Sequence, residues 1–149
     1  MSESKTSDSS RDSISTGKKN EAVLPEGWPR PKGYANGVVA RGRQVYVAGQ
    51  VGWDPAGVWT TDDFGEQTRL AFQNIVAVLH AANAKPEHIV RMTWYVTSKR
   101  EYLAAGREIG RAFREIIGVY DIAMTAIEVT ALIEDRAKVE IEVTAVVPD

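Results

Sequence analysis

A chain of 149 residues with a formal net charge of -2 fits one domain and has no overall attraction for nucleic acid or anionic lipid. It has no cysteine, which excludes disulfides and thiolate metal sites, and no apolar run approaches the ~20 residues needed to span a bilayer.

Residues 1–21 are rich in Ser and in charges of both signs, with Ile14 the one large aliphatic side chain and no aromatic. Such a segment buries too little apolar area to offset its ordering entropy, so a disordered tail is expected, with the folded domain over 22–149. The tail lacks the compact apolar stretch of a signal peptide, and a cytoplasmic protein is the simplest expectation. Residues 24–32 carry Pro25, Pro29 and Pro31 and read as an extended lead-in that packs Trp28 on the domain.

Two short β runs follow, over 37–40 and 44–48. Arg41, Gly42 and Arg43 read as the hairpin-like connection between them, and residues 49–57 as a loop. The first helix starts near Asp63, whose cap with Glu66 three residues on resembles a capping box. Phe64, Thr68, Ala71, Phe72, Ile75, Val78, Leu79 and Ala82 recur at three- and four-residue spacing, one buried stripe, until residues 84–86 end the helix. Residues 91–97 are a strand by their β-branched and aromatic content. The second helix opens at Ser98, with Glu101 again three residues on, and Tyr102, Leu103, Ile109, Phe113, Ile116 and Ile117 form its apolar face. Gly106 and Gly110 cost that helix roughly 1 kcal/mol each relative to Ala, a sign of close packing there.

Two last strands are expected over 122–132 and 137–147. The final one alternates cleanly: Ala137, Val139, Ile141, Val143, Ala145 and Val147 face one way, and Lys138, Glu140, Glu142 and Thr144 the other. The order is therefore β-β-α-β-α-β-β, an α+β fold with one mixed sheet and both crossover helices on one face. The second face would carry Tyr46 or its neighbours, Trp94 or Tyr95, Met124, Thr125, Glu128 and Glu140, too apolar for water and too polar for a core. Burial against further copies of the chain resolves this.

The chemistry-bearing candidates are few. His80 and His88 have no Asp, Glu or Ser arrangement around them and read as surface residues. No His/Asp/Glu cluster has metal-ligand spacing, and no glycine-rich phosphate loop occurs, so no metal and no cofactor are expected. The scattered cations Arg30, Lys32, Arg41, Arg43, Lys99 and Arg100 read as a solvated surface, not a nucleic-acid groove. On pattern alone Glu140 and Glu142 read first as a solvated strand face with cross-strand pairing. At an interface, a desolvated carboxylate there would suit proton transfer or the positioning of water. Tyr34, flanked by glycines in GYANG, reads as a packing residue or as a phenol closing a pocket.

Several stretches, in order over residues 33–147, resemble the RidA/YjgF family of reactive-intermediate deaminases, also called endoribonuclease L-PSP. Residues 33–39 (GYANGVV) resemble its G-Y-S-x-A segment, and 45–51 (VYVAGQV) its V-x-x-S-G-Q-I strand. Gln67-Thr68 through Asn74-Ile75 to Leu79 resemble its Q-T-x5-N-I helix, and 139–145 (VEIEVTA) its closing strand. The resemblance implies a chorismate-mutase-like homotrimer with pockets between subunits. It also implies hydrolysis of small enamines or imines with release of ammonia.

By the same resemblance Glu140 matches the glutamate that positions water, and Tyr34 the pocket tyrosine. Ala48 stands where the family has serine, Gly106 where it has asparagine, and Met124 where an arginine grips the substrate carboxylate. The implied site is thus Glu140 and Tyr34 as catalytic groups, with Met124, Thr125, Ala48, Gly49, Gly106 and Trp94 lining the substrate pocket. The expected partner is a small metabolite. Without the arginine, either a divergent deaminase-type hydrolase or a non-catalytic binding or sensing trimer follows. Ribonuclease activity ranks below both.

Overall fold

The computed structural model of the chain describes residues 20–149. Residues 1–19 of the expected N-terminal tail lie outside them. Glu21, the last residue assigned to that tail, instead opens a short strand, β1 (Glu21–Val23), which pairs antiparallel with β2 (Gly37–Val39). The hairpin expected between 37–40 and 44–48 is not formed. The backbone of β2 is satisfied by an upstream strand across the proline-rich lead-in, which makes a separate two-stranded sheet.

The main sheet has four strands: β3 (Arg43–Val51), β4 (Ile89–Val96), β5 (Ala123–Glu128) and β6 (Val139–Val147). Their order is β3-β6-β4-β5, with β6 antiparallel to both neighbours and β5 parallel to β4, so the sheet is mixed as expected. Residues 49–51, expected as loop, are the end of β3. The register shifts between Val47 and Gln50, a bulge at Ala48-Gly49 that lets the strand continue.

The first helix, α1 (Phe64–Ala81), begins as its sequence dictates, with the Asp63 carboxylate accepting from the Glu66 N–H at 2.9 Å. Phe64, Thr68, Ala71, Phe72, Ile75 and Leu79 are buried, whereas Val78 falls just off the stripe and is exposed. Gly52 permits close approach at the end of β3, where a Cβ would stand 2.5 Å from the Gln67 Cα. Gln67 is fully buried. Its amide donates to Thr61 O and Arg136 O at 3.2 and 3.0 Å, and its carbonyl accepts from Lys138 N at 2.8 Å. Asn74 donates to Val51 O and Trp53 O. These two amides stitch the loops flanking α1 to the sheet and satisfy buried backbone groups.

The second helical segment starts at the expected cap, Ser98 Oγ accepting from Glu101 N at 3.1 Å. It is not continuous. It breaks at Ala105 into α2 (Lys99–Ala104) and α3 (Gly106–Ala112), then widens into a π turn, Phe113–Ile117. All the helices lie on one face of the main sheet, over Val45, Val47, Met92, Trp94, Val139, Ile141, Val143 and Ala145. Phe72 stacks edge-on against Trp94 and Phe113 at 5.5 and 5.7 Å, and Tyr102 meets Trp94 at 5.7 Å.

The other sheet face has no cover among the described residues. Tyr46, 71% exposed, lies there with Thr144, Glu142, Glu140, Tyr95, Thr125 and Ile127. Of the pair Trp94 or Tyr95 it is Tyr95 that lies on this face, and two residues expected there, Met124 and Glu128, are not on it. Trp94 pairs with Ile141 and is 3% exposed under the helices, and Met124 and Glu128 share the helix side with Met92 and Val96. In β4 every residue from Met92 to Val96 is apolar, aromatic or Thr, so its sequence carries no alternation to fix the facing.

Candidate functional site

Chain reversal before β5 helps to build a concavity. The N–H of Ala35 donates to Ile122 O at 2.8 Å and Ala35 bridges Ala123 in parallel, which holds the preceding Tyr34 beside the start of this edge strand. Opposite stand α2, α3 and the π turn. Between them lies a cavity of about 820 Å³ bounded by Tyr34, Trp94, Gly106, Phe113 and Met124. Its wall is largely aromatic and aliphatic, completed by Tyr102, Leu103, Ile109 and Tyr120, with Arg114, Glu87 and Asp121 as its charged groups. A concave, mainly apolar space with a few polar groups suits a small molecule.

Four of the eight residues singled out from the sequence, Tyr34, Trp94, Gly106 and Met124, therefore share one cavity. The other four, Glu140, Ala48, Gly49 and Thr125, do not line it. They sit on or beside the uncovered sheet face. Glu140 pairs with Tyr95 and turns over the bulge of β3, where a Cβ on Gly49 would stand 2.5 Å from Glu140 Oε1. That glycine gives the carboxylate its place. Next to it, Tyr95 donates to Glu142 at 2.8 Å. The bond to Glu142, then burial, then the negative charge of Glu142 raise the Tyr95 phenol above its ordinary value of 10.0.

Gly106 and Gly110 were read from the sequence as sites of close packing and Phe113 as part of an apolar helix face, whereas Arg114, Glu87 and Asp121 carried no signal of their own. They enter the cavity through the π turn, the short turn over Pro86–His88 and the loop before β5. His88 has a local structural role: its Nδ1 accepts from Lys85 N at 3.0 Å. No group of His, Asp and Glu with the arrangement to hold a metal occurs among the described residues. No helix among them is long and apolar enough to cross a membrane.

Comparison with known proteins places these features in a wider set. The family model described as Endoribonuclease L-PSP matches residues 29–147. A RutC family protein of Pyrococcus horikoshii is 29% identical over 126 residues, 84% of this chain and 96% of its own. A protein of Salmonella typhimurium named 2-iminobutanoate/2-iminopropanoate deaminase is also 29% identical, over 85% of this chain and 98% of its own. Among solved structures, a Rid-family protein from Yersinia pestis superposes with a TM-score of 0.74 at 29% identity, covering 87% of this chain and 99% of its own.

Proposed function

The chain belongs to the Endoribonuclease L-PSP family, and from that premise we propose that it acts on a small enamine, imine or related metabolite in pockets completed between subunits of a cytoplasmic homotrimer. One observation carries the reading. The cavity that gathers Tyr34, Trp94, Gly106 and Met124 lies at one edge of the sheet, while Glu140 lies outside it on the uncovered face of the same chain. A neighbouring copy seated on that face brings the two groups together and also covers Tyr46 and Ile127.

The chemistry such a site supports is imine hydrolysis. Glu140 accepts a proton from a water molecule as its oxygen bonds to the imine carbon. Glu140 passes that proton to the nitrogen, which gives the carbinolamine. It then takes the hydroxyl proton and delivers it to the amine as the C–N bond breaks, which releases ammonia and leaves a ketone with Glu140 again ionised. Tyr34 lines the pocket and offers a phenolic hydrogen bond to the reacting group, and Met124 borders the same space. The deaminase name of the Salmonella relative favours this chemistry. RNA cleavage has less support, because the described cavity wall carries one cation beside two acids.

A second reading, a trimer that binds a metabolite without turnover, is favoured by the neutral and apolar residues at Met124, Ala48 and Gly106. Ammonia release from freshly generated 2-iminobutanoate separates the two. The expected result is measurable release by the wild type and a loss of at least about 100-fold in Glu140→Gln, the size typical of a general acid–base group. A wild-type rate equal to that of buffer sinks the enzymatic reading and leaves the binding protein.

A further inference from the structure

The cavity contains a cation that neither the sequence pattern nor the comparisons assign. As α3 passes into the π turn, the consecutive residues Phe113 and Arg114 both reach the cavity wall. Single π turns insert a residue into a helix and are frequent at functional sites. The Arg114 side chain lies back along the helix: a Cβ placed on Gly110 would stand 3.3 Å from its Nη1. Four residues further back, Gly106 has open space beside it, so the cavity continues along the helix from the guanidinium.

Arg114 is the only cationic side chain on the described wall, and no described carboxylate comes within 4.0 Å of it. The acid next to it in sequence, Glu115, is taken by Arg69 at 2.9 Å. Glu87 and Asp121 also line the cavity, so an anion is repelled there unless it pairs with this guanidinium.

We propose that Arg114 is the carboxylate anchor of this pocket, and that its ligand is a small carboxylic acid whose apolar body lies on Trp94 and Met124. The guanidinium fork offers two parallel hydrogen bonds to such a group, and Met124 offers an adaptable apolar surface in place of a second charge. The inference rests on the reading of this cavity as the ligand site. It names the ligand class and the residue that selects it.

Calorimetric titration of the assembled protein with 2-oxobutanoate and with its uncharged amide, 2-oxobutanamide, tests it without requiring turnover. The wild type is expected to prefer the acid over the amide. Arg114→Gln should weaken the acid by about tenfold or more, the size of one lost charge-assisted hydrogen bond, and leave the amide unchanged. Arg114→Lys should restore part of the preference, because it keeps the charge and loses the fork. No wild-type binding of the acid, equal wild-type affinities, an Arg114→Gln protein that holds the acid as the wild type does, or one that loses both ligands alike overturns the proposal. Absence of ammonia release by the wild type overturns the enzymatic reading alone, since the anchor is judged by the titration.

Discussion

On the uncovered face Tyr95 is perturbed first by its hydrogen bond to Glu142. Its neutral phenol donates to Glu142, and the phenolate would face that carboxylate at close range. Its pKa is therefore higher folded than unfolded. A group raised on folding contributes stability that is fully present below its unfolded value and is lost as the pH rises through the folded one. Tyrosinate absorbance during alkaline titration should accordingly show a late fraction above the ordinary 10.0, absent in Tyr95→Phe. A Tyr95→Phe curve that overlays the wild type at all pH values refutes this. At the residue scale the sequence was informative where chemistry is local. The Asp63 and Ser98 caps and the K-E-E-T alternation of β6 were legible directly. Met124 was assigned to the wrong face, and Trp94 and Tyr95 remained alternatives, because the strands that carry them lack polar punctuation. Their contrast comes from the register with β6, a long-range property.

Elements show the same division. The α1 stripe was legible because eighteen residues of amphipathic helix contain many repeats of one period. The break at Ala105, the π turn after Ala112 and the pairing of β1 with β2 had no periodic signature. Gly106 marks the break without announcing it. It sits exposed at the first position of α3, a Cβ there meets nothing within 4 Å, and it carries no positive φ. Gly106→Ala should therefore stabilise the fold by up to about 1 kcal/mol through helix propensity and the loss of unfolded-state freedom. Urea denaturation would read this as a higher midpoint with unchanged slope. A lower midpoint would mean that the glycine is required by a contact outside the single chain.

For the whole molecule, the proposed trimer would place Tyr34 and Glu140 of one chain in different pockets, since Tyr34 lines the described cavity and Glu140 lies outside it. A trimer predicts a mass three times the 16.4 kDa chain. It also predicts that Tyr34→Phe and Glu140→Gln chains, each impaired alone, recover part of the activity when co-assembled, because a mixed trimer contains pockets with both wild-type groups. Light scattering and activity of the co-expressed variants check the two halves. A monomeric mass, or no recovery in verified mixed trimers, contradicts the shared pocket. The separation of Glu140 from Met124 within the chain was legible only in outline. An uncovered face could be deduced from one amphipathic strand and the handedness of connections, but the strand order that separates Glu140 from Met124 could not.

Asn20 adds a constraint of another kind. Its amide donates to His88 O at 3.3 Å and Val146 O at 3.0 Å, and the residue borders the cavity. The described part of the chain thus begins at the pocket's rim. A substitution that frees the Asn20 amide would therefore reach two things at once, the tether of the lead-in to the His88 and Val146 carbonyls and the mouth of the pocket.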